Sequence, residues 1–213
     1  ILDTINFFKV IMDVSKKIKI KKFIKNLLSS FNYLIGNQKI PDILNNINIE
    51  TTSRCNLKCK FCAYDKRDLE VVPHETMTND FFIKVVNETL SMGYKNIGLT
   101  PTTGDIFMDK EIFTKINYLE LQKLLRGYYF YTNFIPPDKE KISKLFRLHK
   151  LTNFGISIYG HDKECFTSFS GGAEKAYLKL IDNLNFFFGG LLKDDRKKLK
   201  IEISQRKKKN FVL

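Results

Sequence analysis

Residues 47–62 read Ile47-Asn48-Ile49-Glu50-Thr51-Thr52-Ser53-Arg54-Cys55-Asn56-Leu57-Lys58-Cys59-Lys60-Phe61-Cys62. Two patterns meet in this stretch. Ile47 to Thr51 alternates apolar and polar side chains at period two, as a strand with one buried face does. Three cysteines then follow at the spacing C-x-x-x-C-x-x-C, while the fourth, Cys165, stands far away. Thiols packed this closely do not make the spaced disulfide framework of a small secreted domain. They predict a metal or cluster site and a reducing compartment, the cytoplasm.

The rhythm of that first strand recurs downstream. Asn96 to Thr100, Tyr128 to Thr132, Phe154 to Tyr159 and Leu199 to Ser204 read as four further strands, rich in β-branched and aromatic residues. Helices are predicted between them. Asn79 is the expected cap of a helix whose apolar face is Phe82, Val85, Val86 and Leu90, with Gly93 ending it. Ile112, Ile116, Leu119 and Leu124 predict a second helix, closed by Gly127. Asp138 caps a third, with Ile142, Leu145 and Phe146 on one side. A fourth starts near Ala173 and carries Ala176, Tyr177, Leu180 and Leu184. Five strands alternating with four helices predict an α/β fold, a parallel sheet built from βαβ units. Such sheets carry their chemistry on the loops that follow the C-terminal strand ends. The cysteine loop, Thr103-Gly104-Asp105, Asn133 and Tyr159-Gly160 all fall on that rim.

Residues 1–45 have a different character. Phe7, Phe8, Ile11, Phe23, Leu27 and Leu28 form a loose helical stripe in a basic segment, so residues 1–45 are expected to be a helical N-terminal extension and 46–213 the core domain. The formal charge is +13 over 213 residues, but it sits at the ends. Residues 1–25 hold seven lysines against two acids, and residues 193–209 hold nine basic residues against three acids. That leaves +2 for the whole middle, so no basic stripe for nucleic acid crosses the fold. Solvated ends account for the charge. No apolar run reaches the length of a membrane span, and no signal peptide is visible. The chain does not begin with Met, and a piece of a longer protein is expected.

Spacing alone leaves the cysteine site open. Thiolates on one loop suit an iron–sulfur cluster. A structural zinc site needs a fourth ligand, here Cys165, His74, His149 or His161, none at finger spacing. Three unrelated thiols are the third reading. Residues 47–62 as a whole, however, resemble the signature of the radical S-adenosylmethionine (radical SAM) superfamily, C-x-x-x-C-x-aromatic-C after a strand, with Phe61 in the aromatic place. The resemblance extends over roughly residues 46–206.

The resemblance implies a partial (β/α) barrel of parallel strands, with about five βα units present. It implies that Cys55, Cys59 and Cys62 ligate three irons of a [4Fe-4S] cluster, and that the amine and carboxylate of S-adenosylmethionine chelate the fourth iron. Phe61 would help seat the adenine. The family's Gly-Gly-Glu-type motif after strand two corresponds to Thr103-Gly104-Asp105, where Thr103 replaces the first Gly and Asp105 the Glu. A carboxylate and exposed carbonyls there would hold the ammonium. Ser157 and Asn133 are the implied pocket residues at the ends of strands four and three, and Arg206 after strand five is a candidate partner for the methionyl carboxylate. Cys165 falls outside the ligand set. No cysteine follows it, and the family's sixth strand has no counterpart, so the core is expected to be incomplete. The implied activity is reductive cleavage of S-adenosylmethionine to a 5′-deoxyadenosyl radical that takes a hydrogen atom from a substrate: a peptide, a sugar or a small metabolite. A one-electron reductant is the implied partner. The rival is a zinc-stabilised basic module that binds nucleic acid.

Overall fold

The computed structural model describes residues 46–191 and 199–206, together with Phe23, Ile24 and Leu27; the Arg206 side chain lies outside the described atoms. Five parallel strands form one sheet in sequential order. They are β1 (Asn46–Asn48), β2 (Asn96–Gly98), β3 (Gly127–Thr132), β4 (Leu151–Tyr159) and β5 (Lys200–Arg206). The helices are α1 (Asn79–Ser91), α2 (Ile112–Leu121), α3 (Lys139–Leu145), α4 (Lys163–Ser170) and α5 (Glu174–Leu191). The described sheet is open, an α/β arrangement of partial-barrel type. Of the expected N-terminal extension, Phe23, Ile24 and Leu27 are helical and exposed, and the rest lies outside the described residues. No helix among the described residues is long and apolar enough to cross a membrane.

Period-two alternation divides the sheet into two faces. One face carries Ile97, Leu99, Tyr128, Phe130, Phe154 and Ile156, all fully buried. Phe130 pairs in register with Phe154, and their rings meet edge to face at 5.4 Å between centroids. Phe187 of α5 closes on Phe154 at 5.2 Å and on Phe134 at 5.5 Å, so an aromatic chain joins helix to sheet. The opposite face presents polar side chains. The Tyr129 hydroxyl donates to Asn48 Oδ1 at 3.1 Å, and Asn153 Nδ2 donates to the Tyr131 hydroxyl at 3.3 Å.

Several local expectations change. Thr78, not Asn79, caps α1: its hydroxyl accepts the Phe81 N–H, while the Asn79 amide donates to Glu111. Gly93 does end that helix, with φ of +97°. Helix α2 stops at Leu121, so Leu124 lies beyond it and is 65% exposed. Gly127 begins β3 and does not close the helix. Asp138 caps α3 as expected, accepting the Lys141 N–H at 2.8 Å. Helix α4 was not expected at all. It is capped by Asp162 and ended by Gly171.

One buried ion pair props the loop after β2. Lys115 Nζ on α2 lies 2.6 Å from Asp109 Oδ2, and both side chains are shut off from solvent. Removing one partner strands the other charge in a low-dielectric interior. Lys115→Met is therefore expected to lower stability by about 3–5 kcal/mol, read from denaturant unfolding. The double variant Lys115→Met/Asp109→Leu, which strands no charge, should recover most of that loss.

Candidate functional site

The cysteine loop leaves β1 and is held from three directions. Leu57 plugs it into the core. The Lys58 and Lys60 N–H groups donate to the Ser170 and Phe169 carbonyls at the end of α4, both at 3.0 Å. The unexpected helix is thus the buttress of this loop. On the other side the 3₁₀ turn Ala63–Lys66 begins at Cys62, whose sulfur accepts the Tyr64 N–H at 3.4 Å. The Tyr64 hydroxyl reaches back to the Cys55 carbonyl at 3.1 Å, and its ring stacks on His74 at 4.3 Å. Arg67 donates to the Thr103 hydroxyl at 3.0 Å, tying this turn to the loop after β2.

Cys55, Cys59 and Cys62 line one cavity of about 360 Å³. Phe61, Thr103, Gly104, Asp105, Asn133 and Ser157 line the same cavity. It opens at the C-terminal ends of the strands. None of the four cysteines is in a disulfide. Arg206 ends β5 opposite Tyr159 in the ladder. Sequence reasoning put Tyr159 on the rim without giving it a role, and did not single out Tyr64 or Tyr131; all three line the cavity. The signal for two of them was available, since Tyr159 shares the face of Ser157, and Tyr131 that of Asn133, by strand parity.

The electrostatics are those of a partly dry site. Burial pushes the Cys55 thiol up to about 11, so it is a proton-bearing thiol until a cation displaces the proton. Burial, reinforced by the neighbouring Cys59 sulfur, takes the Tyr159 phenol up to about 12. The phenol is therefore a neutral hydrogen-bonding group throughout the physiological range. Phe61 stays 42% exposed and packs against the Tyr159 ring at 5.3 Å.

Asp105 lines the cavity with the cysteines and is also bound within the protein. Its carboxylate is turned into the protein. It accepts the Phe107 N–H at 3.0 Å, the Asn133 N–H at 2.7 Å and the Thr132 hydroxyl at 2.8 Å. Burial raises its pKa, and those three donors oppose the shift. With its oxygens so engaged, this carboxylate clamps the loop after β2 to the end of β3. Its own N–H bonds the Arg54 carbonyl at 2.8 Å, one residue before the first cysteine of the loop. Asp105→Asn turns an amide N–H₂ toward a donor. That change is expected to cost about 1–3 kcal/mol, measured as a lower urea midpoint.

Among the described residues, the three loop thiols are not gathered within 4.8 Å of one another.

Comparison with known proteins bears on the family and the fold. The family model described as the radical SAM superfamily matches residues 49–186. No curated protein matches the chain. Among solved structures, anSMEcpe with bound AdoMet is similar at 20% identity and a TM-score of 0.57, over 74% of this chain and 42% of that one. SuiB of Streptococcus suis bound to precursor peptide SuiA is similar at 15% identity and 0.54, over 77% and 34%. BtrN in complex with AdoMet and 2-DOIA is similar at 14% identity and 0.52, over 75% and 56%. The chain covers about half or less of the length of these proteins. With more than half of its residues inside the family match, the chain belongs to the radical SAM superfamily.

Proposed function

We propose that this chain carries the S-adenosylmethionine-cleaving core of a radical SAM enzyme, with Cys55, Cys59 and Cys62 as ligands of a [4Fe-4S] cluster. The carrying observation is that three thiols from one loop share a single cavity with Gly104, Asn133 and Ser157. The donor set suits the cluster. All three donors are thiols of one loop that line one cavity. When bound, the cluster and S-adenosylmethionine supply reductive cleavage of the sulfonium bond and a 5′-deoxyadenosyl radical able to take hydrogen from a substrate.

The chain's own residues have separable tasks. The loop, braced by α4 and Tyr64, holds three thiolates in place and leaves one side facing the cavity. Gly104 keeps the loop after β2 low enough for its carbonyls to face an ammonium. Asp105 locks that loop to β3 from the cavity wall. Ser157 and Asn133 offer hydrogen bonds to polar parts of the nucleotide, and Phe61 with Tyr159 forms an aromatic wall for adenine that excludes water. Arg206 remains a candidate for the methionyl carboxylate on its ladder position alone. A peptide is the substrate class to try first, because two of the solved relatives hold peptides.

The test is an anaerobic incubation of reconstituted protein with S-adenosylmethionine and dithionite, which stands in for the one-electron reductant. Formation of 5′-deoxyadenosine and methionine is expected. Intact S-adenosylmethionine beside a fully loaded, reduced cluster would refute the assignment.

A further inference from the structure

We propose that His161, Asp162 and Cys165 form a second metal site, separate from the cysteine loop, that takes a divalent transition ion of the zinc type. One donor atom from each residue lies within 4.8 Å of the other two, and among the described residues no other three His, Cys, Asp or Glu side chains are gathered in this way. None of the three residues belongs to the cysteine loop.

The backbone brings these side chains together. Gly160 leaves β4 with φ of +99°, and a Cβ there would sit 2.7 Å from the Cys165 Cβ. Only glycine lets the first turn of α4 close so tightly on the strand end. His161 and Asp162 are thereby folded against Cys165, one turn further along. Asp162 is fixed twice. Its Oδ1 accepts the Cys165 N–H at 2.7 Å and caps the helix, while Oδ2 lies 2.9 Å from His161 Nε2. The Cys165 thiol also hydrogen-bonds this carboxylate. An ion would replace the protons that now join imidazole and thiol to the carboxylate, with the carboxylate already oriented by the cap.

The donor set selects the metal. Nitrogen, sulfur and a single carboxylate oxygen suit zinc or cobalt, whereas calcium and magnesium require several oxygens. Three protein ligands leave a fourth position open. His161 and Asp162 face solvent, with side-chain exposures of 35% and 49%, so an ion has a route in. The C-terminal carbonyls of the same helix hold the cysteine loop. An ion at one end of α4 would therefore steady the support of the loop at the other.

The test uses zinc alone as the probe and the full chain as the protein. Wild-type protein with its cysteine loop already reconstituted with iron and sulfide is expected to retain about one zinc per chain after desalting. His161→Ala and Cys165→Ser should each weaken zinc binding by more than about tenfold. Asp162 is left in place because it also caps the helix. In Cys55→Ser/Cys59→Ser/Cys62→Ser protein the zinc should persist, and cobalt in its place should show a thiolate charge-transfer band that Cys165→Ser abolishes. Zinc retained undiminished by His161→Ala and Cys165→Ser, or no zinc bound by the wild type, overturns the proposal. Iron in the same samples reports on the cysteine loop separately. His161 is a solvent-facing side chain, so its variant keeps the comparison sound if the triple variant does not fold.

Discussion

Cys59→Ala protein, reconstituted anaerobically, is expected to hold less than about one iron per chain, where the wild type holds about four. Cys59 is the most buried of the three loop cysteines, and its carbonyl accepts the Cys62 N–H at 2.9 Å. It sits at the centre of the turn that aims all three sulfurs into the cavity. Alanine keeps the turn, because the bond is made by the backbone. What disappears is one thiolate, and a cubane with two protein thiolates is exposed to solvent and reductant. The loss should therefore appear in iron and sulfide analysis, with little change in circular dichroism. Cys165→Ala, outside the loop, should retain the full iron content.

Gly104→Val is the second large effect. A Cβ at position 104 would lie 2.8 Å from the Thr52 carbonyl oxygen and 3.1 Å from that of Arg54, with the Pro101 Cβ at 3.0 Å. Two of these neighbours are backbone atoms of the segment entering the cysteine loop, so no rotamer change relieves the contact. The loop after β2 must lift away from the cysteines. Overpacking of this kind costs about 1–3 kcal/mol, and a displacement of about 1 Å at the reacting groups costs about 100-fold in rate. Cleavage of S-adenosylmethionine should fall by that order, while iron content, set by the thiols, stays close to wild type. A variant that lost iron and activity together would show that the two loops fold as one unit.

These contrasts mark what the sequence could and could not disclose. Strand positions were legible because Ile97 and Phe154 alternate with polar or small residues and Tyr128 to Thr132 is a run of β-prone residues, and a parallel sheet follows from helices placed between them. The rim was legible for the same reason: Thr103 and Asn133 follow strands, and Ser157 lies just before β4 ends at Tyr159. Helix α4 was hidden because Lys-Glu-Cys-Phe-Thr-Ser-Phe-Ser offers only Phe166 and Ser170 to the interior. Its markers were the Asp162 cap and the Gly171 stop. Gly127 was misread as a helix stop, although its place in β3 follows from space: a Cβ there would lie 2.3 Å from Thr152 Cγ2. Asn79 and Thr78 are both good caps, and only the extended backbone of Thr78 decides between them. The direction in which the Asp105 carboxylate turns depends on the Thr132 and Asn133 donors far along the chain, which motif position does not reveal.

In the proposed function, three thiols hold a cluster whose remaining iron is open to S-adenosylmethionine. Electron paramagnetic resonance of the dithionite-reduced, reconstituted protein tests it most directly. A reduced-cluster signal is expected whose g-values shift when S-adenosylmethionine is added and stay unchanged in an otherwise identical control that receives buffer alone. A cluster signal indifferent to S-adenosylmethionine, or a colourless protein whose loop cysteines hold zinc, would contradict it.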